Sequence, residues 1–372
     1  MDFRSRAAMS RISFIVGLAL IVTPIPMAAQ PALDQAQLGA PSSGLINPRA
    51  IVFSPATKKV YAVDTDHDAV QIYSDGSRLA NRIKVGSAPV SIAVNTANGK
   101  AYVANAGDGT VTVLDGNTDA VVATVPAGSH PYSIAVNSDT GKVYVTHTFG
   151  DQLSILDGTT NTVADLKTGS SDLIAINSRT GSIYLLGYGG AVKILDGGSQ
   201  RLIERPVGKH AWGLTLNEIT GAVYVTRIEN ADVAALGVDS SEPVSLPAGT
   251  IPCAIAVNSK SNTLYVANYG NSTVSVIDAT SVRKTATVAV GNHPKAIAID
   301  INRNLVYVAS TGDGTISVID AAKNEVLTTL PAGKNPYALA VVPGSSRLYV
   351  ANEADENSST IVDLSGIHKL NP

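Results

Sequence analysis

Short apolar runs, each holding one tyrosine, return along the whole chain at nearly constant spacing. The tyrosines are Tyr61, Tyr102, Tyr144, Tyr184, Tyr224, Tyr265, Tyr307 and Tyr349, separated by 41, 42, 40, 40, 41, 42 and 42 residues. A fixed period of this length means one supersecondary unit copied eight times, each copy covering its neighbour. Unit three shows the plan. Residues 133–137 (SIAVN) are an apolar run, an Asp-Thr-Gly turn follows, and 143–147 (VYVTH) make a second strand. A third strand at 153–157 (LSILD) follows Gly150 and Asp151, and a fourth at 162–166 follows Asp157-Gly158. Four short strands joined by tight turns form an antiparallel meander.

Such a sheet carries apolar side chains on both faces, so each face needs a neighbouring sheet. A closed ring satisfies every sheet alike, which predicts an all-β fold, a single eight-bladed β-propeller of four-stranded antiparallel blades. A small residue recurs in the first strand, at Ala93, Ala135, Ala175, Ala256, Ala298 and Ala340, with Val52 and Thr215 in the other two units. Small residues suit the zone where blades converge on the axis. Blades are expected to begin near residues 46, 87, 129, 170, 209, 250, 292 and 334. Unit eight runs out after three strands, around 338–342, 348–352 and 360–364. An outer strand taken from the N-terminal side would close the ring in that last blade and cover an open edge. The expected organisation is a signal peptide at 1–29, a segment supplying the closing strand at 30–45, the repeats at 46–366 and a tail at 367–372.

Composition fits this picture. The 372 residues are 45% hydrophobic but only 15% charged, with 32 Gly and 4 Phe, which favours many short strands and turns over amphipathic helices. Net charge is −3 and no dense Lys/Arg run follows the N-terminus, so nucleic-acid binding through phosphate neutralisation is disfavoured. Arg4, Arg6 and Arg11 precede an apolar run over 12–22, with Ala28 and Ala29 after it. That is the layout of a secretory signal, too short to span a membrane. Export to the periplasm, the cell surface or the medium is expected. Cys253 is the only cysteine, so no internal disulfide can form and the core alone must hold the fold.

The runs Tyr102-Val103-Ala104-Asn105, Tyr144-Val145-Thr146-His147 and Tyr265-Val266-Ala267-Asn268 resemble the signature of the YVTN, or YncE-like, family of WD40-like β-propeller repeats. So do the Gly-x-x-Pro elements leading into the first strands: Gly86 and Pro89, Gly128 and Pro131, Gly249 and Pro252, Gly291 and Pro294, Gly333 and Pro336. The Ser-Val-Ile-Asp third strands at 275–278 and 317–320 agree, and the resemblance covers 46–365 in register. Unit four departs most: it has Gly169 but no proline, and its lead-in is one residue shorter. Unit five has Ala211 in place of proline. The resemblance implies the propeller and an extracytoplasmic setting. Similar proteins include cell-surface layer proteins and a propeller that looks like a DNA-binding module, and related ones carry haem or quinone-linked redox domains, so the fold does not select an activity.

In a four-stranded antiparallel blade, the loop leading into the first strand and the loop between strands two and three emerge on one face of the disc. Eight such pairs surround the channel mouth. His130, His210 and His293 share one lead-in position in units three, five and seven, and His147 belongs to the same expected face. Imidazoles can ligate a metal or haem iron, but alternating units need not bring them within bonding distance, and no C-x-x-C-H motif is present. One position past the proline site, the units carry Arg49, Val90, Tyr132, Trp212, Cys253, Lys295 and Tyr337. This position varies while its neighbours repeat, and aromatic, Arg and Lys side chains suit a binding rim; the plainer alternative is a residue that lines a wet channel. Cys253 is expected to be inert packing.

Asp64, Asp66 and Asp68 face Glu353, Asp355 and Glu356 across the expected closure, but Ala69 stands where a calcium loop needs glycine, so a solvated loop is expected. Asp115, Asp157, Asp196, Asp239, Asp278, Asp320 and Asp363 recur at third-strand ends, as turn caps rather than a catalytic constellation.

The expected site is therefore the loop face, with Arg49, Tyr132, Trp212, Lys295, Tyr337, His130, His210 and His293 as binding candidates and no catalytic residue, metal or cofactor. The expected function is an exported, monomeric, non-enzymatic propeller that binds an envelope protein, polysaccharide or other surface partner. A propeller enzyme or redox protein, lactonase-like or haem- or quinone-associated, is the competing class. A single-stranded nucleic-acid binder is a third, against which the acidic net charge counts.

Overall fold

The computed structural model describes residues 48–74, 78–187, 189–237, 242–343, 345–352 and 359–367. Among these the chain forms 31 strands and one short 3-10 turn. Strands pair only with chain neighbours, giving seven antiparallel sheets of four strands and one of three. Blades one to eight occupy 48–84, 89–126, 131–167, 173–206, 211–247, 252–289, 294–331 and 336–363, each beginning within a few residues of the place expected. The irregular unit around Tyr184 is a full four-stranded blade.

The first strand of each blade packs on the first strand of the next, and that of blade one packs on the first two strands of blade eight. The ring therefore closes with eight members. Its closing contact is apolar: Ile51, Val60, Ala62 and Tyr73 of blade one meet Ala338, Ala340, Tyr349 and Ala351 of blade eight, with the Tyr73 and Tyr349 rings 5.6 Å apart. The signal segment 1–29 and the closing segment 30–45 lie outside the described residues, within which blade eight has three strands.

All eight repeating tyrosines are buried, and the strand register explains the small residue of the first strand. Ala93 lies directly opposite Tyr102, Ala135 opposite Tyr144, Ala175 opposite Tyr184 and Ala256 opposite Tyr265. A small side chain leaves room for the phenol ring beside it, a sharper reason than crowding at the axis. The hydroxyl then reaches the next blade. Tyr61 Oη donates to Gly116 O at 3.4 Å, and a Cβ added to Gly158 would fall 2.5 Å from Tyr102 Oη. Lysines reinforce these ties: Lys59 Nζ donates to Gly116 O at 2.8 Å and Lys100 Nζ to Gly158 O at 2.7 Å.

On this face of the disc the recurrent aspartates cap turns, as their positions predict. Asp115 accepts from the Asn117 N–H at 2.8 Å, Asp157 from Thr159 at 2.8 Å and Asp278 from Thr280 at 2.9 Å. The same chemistry in successive blades answers the same turn. Asp239 lies outside the described residues.

Candidate functional site

On the opposite face, the lead-in loops meet the loops that follow the second strands. The Thr148 N–H donates to His130 O at 3.0 Å, Ile228 to His210 O at 3.2 Å, Tyr269 to Ile251 O at 2.9 Å and Thr311 to His293 O at 3.0 Å. One bond thus ties the two loops together in blades three, five, six and seven. The accepting residues adopt left-handed backbone, with φ of 51° at His130, 53° at His210, 52° at Ile251 and 54° at His293, and Asn335 at the same place in blade eight has φ 50°. Asn and His tolerate that conformation better than most residues, which is a local reason for three histidines at one position.

All three histidines are exposed, and two engage a neighbour: His210 Nδ1 lies 2.6 Å from Glu229 Oε1 of its own blade, and His293 of the blade-seven lead-in stacks on Tyr269 of blade six with centroids 4.6 Å apart. Among the described residues, no group of three or more His, Cys, Asp or Glu is placed to share a metal ion. Phe149, in the loop after the second strand of blade three, is 93% exposed with φ 64°. Sequence reasoning passed over this aromatic, which presents itself to solvent on the same face.

His147 is buried. Its Nδ1 lies 3.0 Å from Ser129 O and its Nε2 2.9 Å from Ser154 Oγ, and burial holds the imidazole below the ordinary histidine range. Ser154 also donates to Asp165 Oδ1 at 2.6 Å. The carboxylate here holds the serine, whereas a nucleophilic triad needs it on the imidazole, so the cluster is a structural tie. Asparagine does the same work elsewhere. Asn268 Nδ2 donates to Thr273 and Ser275, both at 3.0 Å, and its Oδ1 accepts from the Gly249 N–H at 2.9 Å.

The variable position is the extra residue of a β-bulge. Pairing of strands one and two steps out of register between Pro89 and Ser91, Pro252 and Ala254, Pro294 and Ala296, and Pro336 and Ala338, so Val90, Cys253, Lys295 and Tyr337 are the inserted residues. Similar shifts bracket Arg49, Tyr132 and Trp212. A bulge re-aims a side chain away from the repeating pattern. Tyr132, Trp212 and Lys295 are half-buried on these bulges. Tyr337 is 2% exposed and packs in the cluster between blades eight and one, so it serves ring closure. Cys253 donates through Sγ to Pro294 O at 3.2 Å, and burial pushes its thiol up to about 12, which leaves it unreactive.

Blade four has no bulge. Its first two strands pair in unbroken register from Leu173 opposite Leu186, and the Asp172 N–H donates to Leu186 O at 2.8 Å. Asp172 therefore stands where other blades place proline, and this is the physical content of the shortened lead-in. Sequence reasoning missed it because the variable position was counted from a proline that unit four lacks. Burial raises the Asp172 carboxyl to about 6, against the pull of Lys193. Lys193 occupies the third-strand place of Thr112, Ser154, Ser275 and Ser317, and its Nζ donates to Ser170 O at 2.8 Å.

A second carboxyl, Glu218, lies on the turn face, where blades three, four and six carry Ser138, Ser178 and Ser259. Burial pushes it up to about 8 despite Arg179, and Asp139 pushes the same way. The Arg179 guanidinium donates to the Glu218 and Ile219 carbonyls at 2.9 and 3.0 Å. Departure from the repeat was the only sequence signal for either carboxyl.

Comparison with solved structures supports the architecture. A chain of Kuenenia stuttgartiensis hydrazine synthase aligns with a TM-score of 0.61 at 16% identity, over 92% of this chain and 99% of that one. The computationally designed Ika8 protein aligns with a TM-score of 0.72 at 13% identity, over 88% and 99%. At these identities the likeness is one of fold. No curated protein matches the sequence. The family model described as "Lactonase, 7-bladed beta-propeller" matches residues 29–329, a span that ends within the last strand of blade seven and leaves blade eight beyond it. The chain thus belongs to the lactonase family of β-propellers, with eight blades where the family's description gives seven.

Proposed function

We propose that the protein is exported and works from its lead-in-loop face, binding an envelope protein, polysaccharide or other surface partner at the channel mouth. One observation carries this reading: seven blades insert a bulge residue at the same place, and its identity changes from blade to blade while the tyrosines and turn caps repeat. Residues that solve the same packing problem in each blade recur. Residues that read a ligand have no reason to. Tyr132 and Trp212 offer aromatic area and Lys295 a cation, the side chains that dominate binding energy. The N-terminal signal pattern and the YVTN-type repeats support a periplasmic, surface or secreted monomer. The test is calorimetry against fractionated envelope polysaccharides and proteins: Tyr132→Ala with Trp212→Ala should weaken binding at least about tenfold while the melting temperature stays nearly unchanged. Unchanged affinity contradicts the proposal.

The family match favours a second reading for the same face, hydrolysis of a lactone. Turnover of a lactone by the purified protein is its test.

A further inference from the structure

We propose that Asp172 is the general base of a hydrolytic site on the lead-in-loop face, placed where blade four interrupts the ring of bulges and flanked by Tyr132 of blade three and Trp212 of blade five. This inference rests on the lactone reading and adds to it the residue that moves the proton.

Blade four alone pairs its first two strands without a register shift, so its innermost strand is one residue short at the mouth. A carboxyl takes the place that a buried proline holds in five other blades, at Pro89, Pro131, Pro252, Pro294 and Pro336. The first strands of blades three and five pack on that of blade four, which puts the two aromatic bulge residues on either side of Asp172. Thr146 of blade three donates through Oγ1 to Asp172 O at 3.1 Å, fixing the backbone on that side.

The described residues of the loop beside it are Gly187, Gly189 and Gly190. A Cβ on Gly187 would fall 2.6 Å from Ser170 O and one on Gly190 2.7 Å from Gly208 O, whereas one on Gly189 would face open space. Gly187 and Gly190 are thus pressed against the lead-ins of blades four and five, where only a glycine lets the backbones approach so closely. The charge that acts on Asp172 is Lys193, on the third strand of its own blade, with Glu204 opposite that lysine on the fourth; the neighbouring first strand and lead-in carry Tyr132 in blade three and Lys209 and His210 in blade five.

The chemistry needs only water and the ester. Asp172 accepts a proton from a water molecule as the water oxygen bonds to the lactone carbonyl carbon. The ring C–O bond then breaks, the ring oxygen takes that proton back from Asp172, and a hydroxy acid leaves. Half-buried and raised to about 6, the carboxyl is still mostly ionised at neutral pH and is a stronger base than an exposed aspartate. Two aromatic side chains suit the faces of a small ester ring.

The experiment follows base consumption by the full chain on a panel of γ- and δ-lactones. Asp172→Asn should lower kcat/KM by about 10²- to 10⁴-fold with the melting temperature retained. The wild-type rate should fall on the acid side through a value near 6. Lys193→Met should move that limb to higher pH, because the charge that lowers Asp172 is gone, an effect a merely structural role would not produce. Activity of Asp172→Asn within about threefold of wild type, or an acid limb that Lys193→Met leaves in place, overturns the assignment while leaving the lactone reading intact. Should Asp172→Asn fail to fold, the Lys193→Met profile decides alone. Absence of turnover by the wild type across the panel overturns both, and leaves binding at this face to the calorimetric test.

Discussion

Blades four and six have the same strand order and the same inner packing, yet they share almost nothing at the lead-in face. In both, a buried tyrosine stands across from an alanine, Tyr184 from Ala175 and Tyr265 from Ala256. At the mouth, blade six has Pro252, the bulged Cys253 and an Asn268 network bonded to Thr273, Ser275 and the lead-in glycine. Blade four has Asp172, no bulge, Gly187 in place of the asparagine and Lys193 in place of the serine. A blade can therefore lose the whole lead-in network and keep its place in the ring, because the tyrosine and its small partner hold the sheets together. The lead-in face is where the repeat can be rewritten.

The largest expected effect tests the shared half of the comparison. Tyr184→Ala and Tyr265→Ala should each cost about 3–5 kcal/mol in urea unfolding, with similar values in the two blades. A loss confined to blade six would show that blade four is held some other way. Next comes the half that differs. Asn268→Ala leaves the Gly249 N–H, Thr273 and Ser275 without their partner and should cost about 2–3 kcal/mol. Gly187→Asn should destabilise blade four rather than repair it, since a Cβ there meets Ser170 O at 2.6 Å. A stabilised Gly187→Asn would mean that blade four is a damaged copy and not a rebuilt one.

The smallest effects are pH effects, one on each face. The folded value of Glu218 is raised from 4.5 to about 8, so its contribution is present below the unfolded value and is lost as pH rises through the folded one. Glu218→Gln should recover on the order of 2 kcal/mol above pH 8 once solvent screening is allowed for. The folded value of His147 is depressed below 6.5, so its contribution is present above that value and is lost as pH falls. His147→Asn should flatten the acid side of the stability profile while keeping a bond to Ser154. A profile that neither substitution changes would remove both groups from the account.

The blade count was legible because a buried tyrosine leaves a mark at every repeat, and the aspartate caps because a turn needs the same residue each time. The shortened lead-in of unit four was visible too, but its meaning was not: a bulge is a matter of register between two strands and carries no residue type of its own. Asp172 was missed for that reason. The histidines drew attention as possible ligands, and backbone conformation turned out to be a local reason for their recurrence. Tyr337 shares its position with Tyr132 and Trp212, and only packing against blade one shows that it faces inward. The segments 1–29 and 30–45 lie outside the described residues, and their roles rest on the sequence.

Trp212 is the only tryptophan in the chain and stands on the first-strand bulge of blade five, so its fluorescence reports on the very place where the account puts the site. The direct measurement is a titration of each ligand that binds by calorimetry, followed in parallel through tryptophan emission. The account predicts a saturable change in Trp212 emission with the calorimetric affinity. A ligand that binds stoichiometrically, leaves the emission untouched and is lost when the opposite-face turns are altered would put the working surface on the other side of the disc.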